Sequence, residues 1–232
     1  MIRRFAVFLL LLALGSIFVN LLMGYVPDSE LNLTARYYAE HTAQDIGAAN
    51  IVTAIVITYR GLDTLGEVTV LFLTATIIGM VLSQGQKHRA LQRQLPPSGE
   101  LLTTGSRLLV PLILLLGAYV FLNGHLTPGG GFQGGAIIAS AALLLLLTDP
   151  LRRFSHRLIS VVESVSGLVF VASGVLGILY AGGFLDSRIL STGTFGALFS
   201  AGVIPVIYSF VGLKVGAEFT SMLTNLAETE QS

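Results

Sequence analysis

Acidic residues next to apolar runs are the first chemistry this sequence offers. In "TYRGLDTLGEVTVLFLTATIIGMVL", Thr58 to Leu82, Arg60, Asp63 and Glu67 bracket the start of such a run. Asp63 and Thr64 are good N-cap types, and Asp63 and Glu67, four apart, share a helix face. For Asp63, complementing the helix dipole is the favoured reading. Glu67 sits about one turn inside the apolar run. A carboxylate there is costly and faces protein, water or a partner charge, so capping and a proton or cation relay both stay open. Glu163, in "RLISVVESVSGLVF", lies five residues beyond the expected start of its helix. It reads either as a headgroup-region residue or as a proton-accessible carboxylate in a polar seam with Ser160, Ser164 and Ser166. In "IPVIYSFVGLKVGAEFTSMLTNL", Lys214 and Glu218 are spaced i, i+4. A snorkelling lysine with an ion-pair neighbour is preferred; a buried lysine facing an antiporter-like partner is the alternative. Pro205, placed inside the same expected helix, should kink it, and Tyr208 reads as aromatic packing rather than cavity lining.

The second feature is "HLTPGGGFQGGA", His125 to Ala136. Gly129, Gly131 and Gly134 match the spacing G-x-G-x-x-G. A dinucleotide fingerprint needs a preceding strand, a following helix and a later acidic residue, and here an apolar helix precedes it. There is no G-K-[ST], so it is not a phosphate loop of that kind either. Bare backbone also permits positive φ and close helix approach. A rigid turn between two helices is the physical reading.

The elements that must position these residues follow from composition. Of 232 residues, 53% are hydrophobic and 11% are charged, and the net charge is zero. Soluble domains carry about 25% charged residues, so this is an all-α membrane protein in expectation. No general basic field exists for nucleic acid. There are no cysteines, which excludes disulfides and Cys-ligated zinc or iron–sulfur clusters on this chain. Four scattered histidines without H-x-x-x-H spacing argue against a metal or haem site, so no metal and no cofactor is expected here. The N-terminal apolar run exceeds the h-region of a signal peptide, about 7–15 residues, and is read as a retained first helix.

About 20 apolar residues cross a bilayer. Spans are expected at Phe5–Val26, Thr64–Ser83, Arg107–Asn123, Gly134–Thr148, Leu158–Gly182 and Thr194 to about Gly216. The apolar stretch Ala49 to Arg60 is too short, since twelve helical residues rise about 18 Å against a core of roughly 30 Å. It is expected as a short outer-face or re-entrant helix at about 47–59. With six spans and the N-terminus inside, Arg3, Arg4, Lys87, Arg89, Arg93, Arg107, Arg152, Arg153, Arg157 and Lys214 lie on the cytoplasmic side, and Arg36, Arg60 and Arg188 outside. This agrees with the positive-inside rule and predicts both termini in the cytoplasm of a plasma-membrane protein. Residues 1–85 form a two-helix unit, 86–104 a basic cytoplasmic linker and 105–232 a four-helix unit with a polar C-terminal tail.

The stretch "NGHLTPGGGFQGGAIIASAALLL" resembles the GH-x-x-PGGGF-x-GG signature of the MnhB/MrpB family, small membrane subunits of multisubunit Na+/H+ antiporters. The ending "GVIPVIYSFVGLKVGAEFTSML" is similar to the related MbhF-type subunits of membrane-bound hydrogenase and sulfane-sulfur reductase complexes. The earlier "ANIVTAIVITYRGLDTLGEVTVLF" resembles the MbhE-type domain and the C-terminal end of MrpA, with its R-G-x-D-T-x-G-E motif. These resemblances cover roughly 40–85 and 105–225. One departure is Thr53, where MrpA-like sequences carry a second Asn, so the resemblance gives that side chain no assured polar role. The family implies a subunit without catalytic residues of its own, working among other membrane subunits of an Mrp- or Mbh-type complex in the lipid bilayer, with Na+ and H+ as the translocated ions. It places the important positions at Asp63, Glu67, Gly124, His125, Pro128, Gly129, Gly130, Gly131, Phe132, Gly134 and Gly135. Glu163 and Lys214 join the ion-pathway candidates from the residue reading alone. A purely structural adaptor joining larger antiporter-like subunits is the competing reading. A free-standing carrier is opposed by the lack of paired broken helices in corresponding halves.

Overall fold

The computed structural model describes residues 2–25, 30–85, 99–149 and 154–231. Among these residues all regular structure is helical: α1 Ile2–Met23, α2 Leu33–Asp45, α3 Ile51–Ala54, a π-helical turn Ile55–Tyr59, α4 Gly61–Gly85, α5 Glu100–Leu122, α6 Gly131–Thr148, α7 His156–Tyr180, a 3₁₀ turn Ser187–Ile189 and α8 Ile204–Gln231. Six helices are long and apolar enough to cross a membrane: α1 and α4 to α8. The expected all-α membrane fold with six spans is therefore what the chain adopts. The short helix expected at 47–59 is present as α3 and the π turn, with Thr53, Ala54 and Ile57 buried.

The chain divides into two compact units, Met1–Tyr37 and Tyr38–Ser232. In the first, the described side chains of α1 are all exposed, as suits a helix solvated by lipid or by another membrane helix. In the second, α8 is the hub, packing against α4, α5, α6 and α7, while α5 also packs on α6. The core lies at one end of this hub. Ile46, Ala48, Ala54 and Ile57 meet Leu185, Ala201 and Val203 from the α7–α8 connection around Ile204, Ile207 and Val211 of α8.

Three expectations about the chain's last third need correction. The final helix starts at Ile204, not Thr194. Residues 190–203 are apolar enough to read as helix, but Gly193, Gly196 and Gly202 take φ of +64°, +82° and +61° and break it. Pro205 is therefore the second residue of α8, where a missing N–H costs no helical bond, and it causes no interior kink. The helix then runs through the supposed polar tail to Gln231, which moves Lys214 and Glu218 from the helix end to well inside the span. Helix α2 went unread because it lacks a long apolar run. Its start signal is Asn32, whose side chain accepts a hydrogen bond from the Ala35 N–H at 2.8 Å. The basic linker read at 86–104 lies outside the described residues as far as 98, and its last five positions begin α5.

Candidate functional site: a buried ion pair below a glycine clasp

The turn Asn123–Gly130 between α5 and α6 is held from above by the segment preceding the π turn. Asn50 caps α3 with its side-chain oxygen and donates its amide to the carbonyls of Gly124 and Thr127, both at 2.9 Å. Its backbone N–H donates to the His125 carbonyl at 3.0 Å. Thr53 donates its hydroxyl to the Gly124 carbonyl and accepts the Tyr208 hydroxyl of α8 at 3.1 Å. Buried loop carbonyls at this depth need such partners. Thr53 thus has a polar role that the resemblance did not assign it.

The glycines let three helices touch. A Cβ on Gly134 of α6 would lie 2.7 Å from the Gly117 carbonyl of α5, and one on Gly131 would lie 2.6 Å from Val211 of α8. At Gly124 a Cβ would meet the Tyr208 ring at 2.6 Å. Gly129 takes a φ of +150° against Val120, and Gly130 faces the Tyr208 hydroxyl. Phe132 packs on the core, whereas Pro128 is exposed. His125 is fully buried. With its proton on Nε2 it donates to the Ala197 carbonyl at 3.4 Å, while Nδ1 has no partner. Burial holds its pKa below the ordinary value of 6.5, outweighing backbone hydrogen bonds that push it up.

About one and a half turns further along α8, Lys214 Nζ lies 2.7 Å from Glu218 Oε1, with side-chain exposures of 9% and 0%. The contact is an ion pair by distance, although its angle is outside that of an aligned hydrogen bond. The ammonium also sits 5.1 Å from the centre of the Phe72 ring of α4, a cation–π distance. On the α7 side, a Cβ on Gly167 would be 3.6 Å from Nζ. The preferred snorkelling reading of Lys214 does not hold: its charge turns inward to a buried carboxylate.

Helices α7 and α8 run antiparallel. His156 Nε2 meets Glu228 Oε1 at 2.9 Å, and Gly167 meets Lys214. This register sets Glu163, one turn from Gly167, opposite Glu218, within electrostatic reach of it. The candidate residues thus separate into two groups. Glu163 joins Lys214 and Glu218. Glu67 is exposed on α4, within electrostatic reach of Tyr208 under the clasp. Asp63 pairs with Arg60 at 2.5 Å on the exposed first turn of α4. Among the described residues no three His, Asp or Glu side chains gather as metal ligands do. Sequence reasoning passed over Asn50, His156 and Glu228. Asn50 had a usable signal as a cap type before a short apolar helix; the other two are joined only by the helix register.

Residues 101–221 match the family described as a domain related to the MnhB subunit of Na+/H+ antiporter, and residues 2–92 match the MbhE family of the MBH group. A chain in the structure of the membrane-bound sulfane sulfur reductase, an archaeal respiratory membrane complex, is 40% identical with a TM-score of 0.81, covering 97% of this chain and 98% of that one. A chain of the Mrp complex from Dietzia sp. DQ12-45-1b is 25% identical with a TM-score of 0.80, over 99% of this chain but 26% of that one. The B-type Na+/H+ antiporter subunit of Bacillus subtilis is 38% identical over 101 residues, which is 41% of this chain and 65% of that protein.

Proposed function

The chain belongs to the family of the domain related to the MnhB subunit of Na+/H+ antiporters, and from that premise we propose that it is a membrane subunit of a cation/proton antiporter-type complex. The observation that carries its own part in ion movement is the Lys214–Glu218 pair, buried inside a span. A charged pair at that depth is expensive and marks proton or ion pathways. In this reading Glu218 exchanges a proton, Lys214 supplies the charge that favours its ionised form, and Glu163 opposes that ionisation from α7. Glu67 serves the outer side, beneath the glycine clasp. The chain works without a cofactor or catalytic residue of its own, and with both termini in the cytoplasm.

Partners are other membrane subunits. Likeness over nearly the whole length to a chain of the sulfane sulfur reductase complex supports a parent assembly in which redox chemistry on other subunits is coupled to Na+ and H+ movement. Co-purification with iron–sulfur subunits tests that assignment. For the ion path, Glu218→Gln and Lys214→Ala are made in the assembled complex and Na+-dependent ΔpH is followed in vesicles. Loss of antiport with an intact complex is expected. Full antiport in both variants removes the pair from the pathway.

The clasp favours a second, adaptor role. Hydrogen bonds from Asn50, Thr53 and Tyr208 fasten one helix turn to a loop more than seventy residues away. That role predicts loss of the complex on native gels when the clasp is altered, with the carboxylate variants unaffected.

A further inference from the structure

Glu218 is fully buried, and neither of its carboxylate oxygens receives a hydrogen bond. One oxygen has only the Lys214 ammonium beside it. A carboxylate oxygen left dry and unbonded is costly, so something small and polar should reach it.

Below Glu218 toward the end of α8, Ser221, Asn225 and Glu228 follow at spacings of three, four and three, which puts them on one helix face with Lys214 and Glu218. The row from Lys214 to Glu228 covers about 21 Å of helix. None of its five members is apolar. In the other direction the surroundings are sealed: Val211 and Ile207 are buried and apolar. The neighbouring helices leave room along the polar row. Gly167 stands beside Lys214, and Gly79 of α4 beside Asn225. At the far end the row meets the half-exposed His156, paired to Glu228.

We propose that this face of α8 is a one-sided, water-lined access path for protons, open at His156–Glu228 and closed above Lys214–Glu218. Its mouth lies on the side of the α7 N-terminus, the cytoplasmic side by the charge pattern. His156 and Glu228 position and pass protons at the mouth; Ser221 and Asn225 hold the intervening waters. The proposal rests on the antiporter-type reading for its purpose, but not for its test.

The chain has no cysteine, so a single introduced thiol reports its own surroundings. Ser221→Cys, Asn225→Cys, Glu228→Cys and Val211→Cys are made in the full complex. Each is treated with a small membrane-impermeant methanethiosulfonate reagent in right-side-out and in inverted vesicles, and the label is read on this chain. Labelling of Ser221→Cys and Asn225→Cys from the Glu228 side only, with Val211→Cys unlabelled, is the expected result; if one of the two fails to assemble, the other carries the test. Labelling of Glu228→Cys alone overturns the path, as does Val211→Cys labelled from the same side as readily as Ser221→Cys. Labelling at Ser221 that leaves Na+-dependent ΔpH untouched keeps the path and removes the antiport reading. Absence of label there removes the path whatever the transport rate.

Discussion

A Cβ on Gly135 of α6 would lie 2.7 Å from the carbonyl oxygen of Gly212 on α8. The two helices meet backbone to backbone at that point, and the meeting allows no side chain. Gly135→Ala should therefore lower the thermal stability of the complex by about 1–3 kcal/mol, the usual cost of overpacking. Gly66→Ala is the control, since a Cβ there meets nothing within 4 Å. Heating the tagged complex and following its retention on native gels separates the two. Equal behaviour would mean that the helix contact tolerates a methyl group.

For the ion pair, removing one member should hurt more than removing both. A buried charge left alone costs about 3–5 kcal/mol, whereas a well-packed neutral replacement of the pair is often tolerated. Glu218→Gln should therefore reduce assembly more than Lys214→Met with Glu218→Gln together. The double variant should assemble yet show no antiport. Additive losses of assembly across the cycle would argue that the pair is not coupled.

His125 gives a pH dependence with a definite sign. Its pKa in the fold lies below the ordinary value of 6.5, so the unfolded chain binds the proton more readily. Its contribution to stability is present above pH 6.5 and is lost as pH falls from there toward the depressed value. The wild-type complex should lose thermal stability between about pH 7 and 5, and His125→Gln should lose less over the same range. Parallel curves for the two would remove His125 as the cause.

At the clasp, Asn50 is a donor to two carbonyls and an acceptor from α3 at once. Asn50→Ala leaves the Gly124 and Thr127 carbonyls short of a partner, at about 1–3 kcal/mol for a buried polar group. Asn50→Asp keeps the cap but turns a carboxylate, an acceptor only, toward those same oxygens. It should be the worse of the two in native-gel retention, despite being the closer match in shape. The reverse order would show that the cap matters more than the loop bonds.

The glycine turn and the Lys214–Glu218 spacing were legible in the sequence because each is local: a turn needs glycine where it stands, and an i, i+4 pair needs only a helix. The depth of that pair was not legible. It depends on where α8 begins, and an apolar stretch broken by Gly193, Gly196 and Gly202 looks like helix to any measure of hydropathy. The end of α8 was missed for the opposite reason, since its last turns are polar and are held in part by His156 across the α7 seam. Asn50 and Gly124 are 74 positions apart, and nothing in either segment names the other.

The π turn at Ile55–Tyr59 has a mechanical consequence. The Arg60 N–H donates to the Ile55 carbonyl, five residues back, at 2.8 Å, so the turn holds one residue more than an α-helical path would. One residue is about 100° of helix rotation. That surplus residue sets the phase between the clasp at Asn50 and Thr53 and the α4 face that carries Glu67. Removing it would point one of them away from its partners without altering a single residue of either motif. The spacing between the two signatures, as much as their residues, is thus part of what this chain encodes.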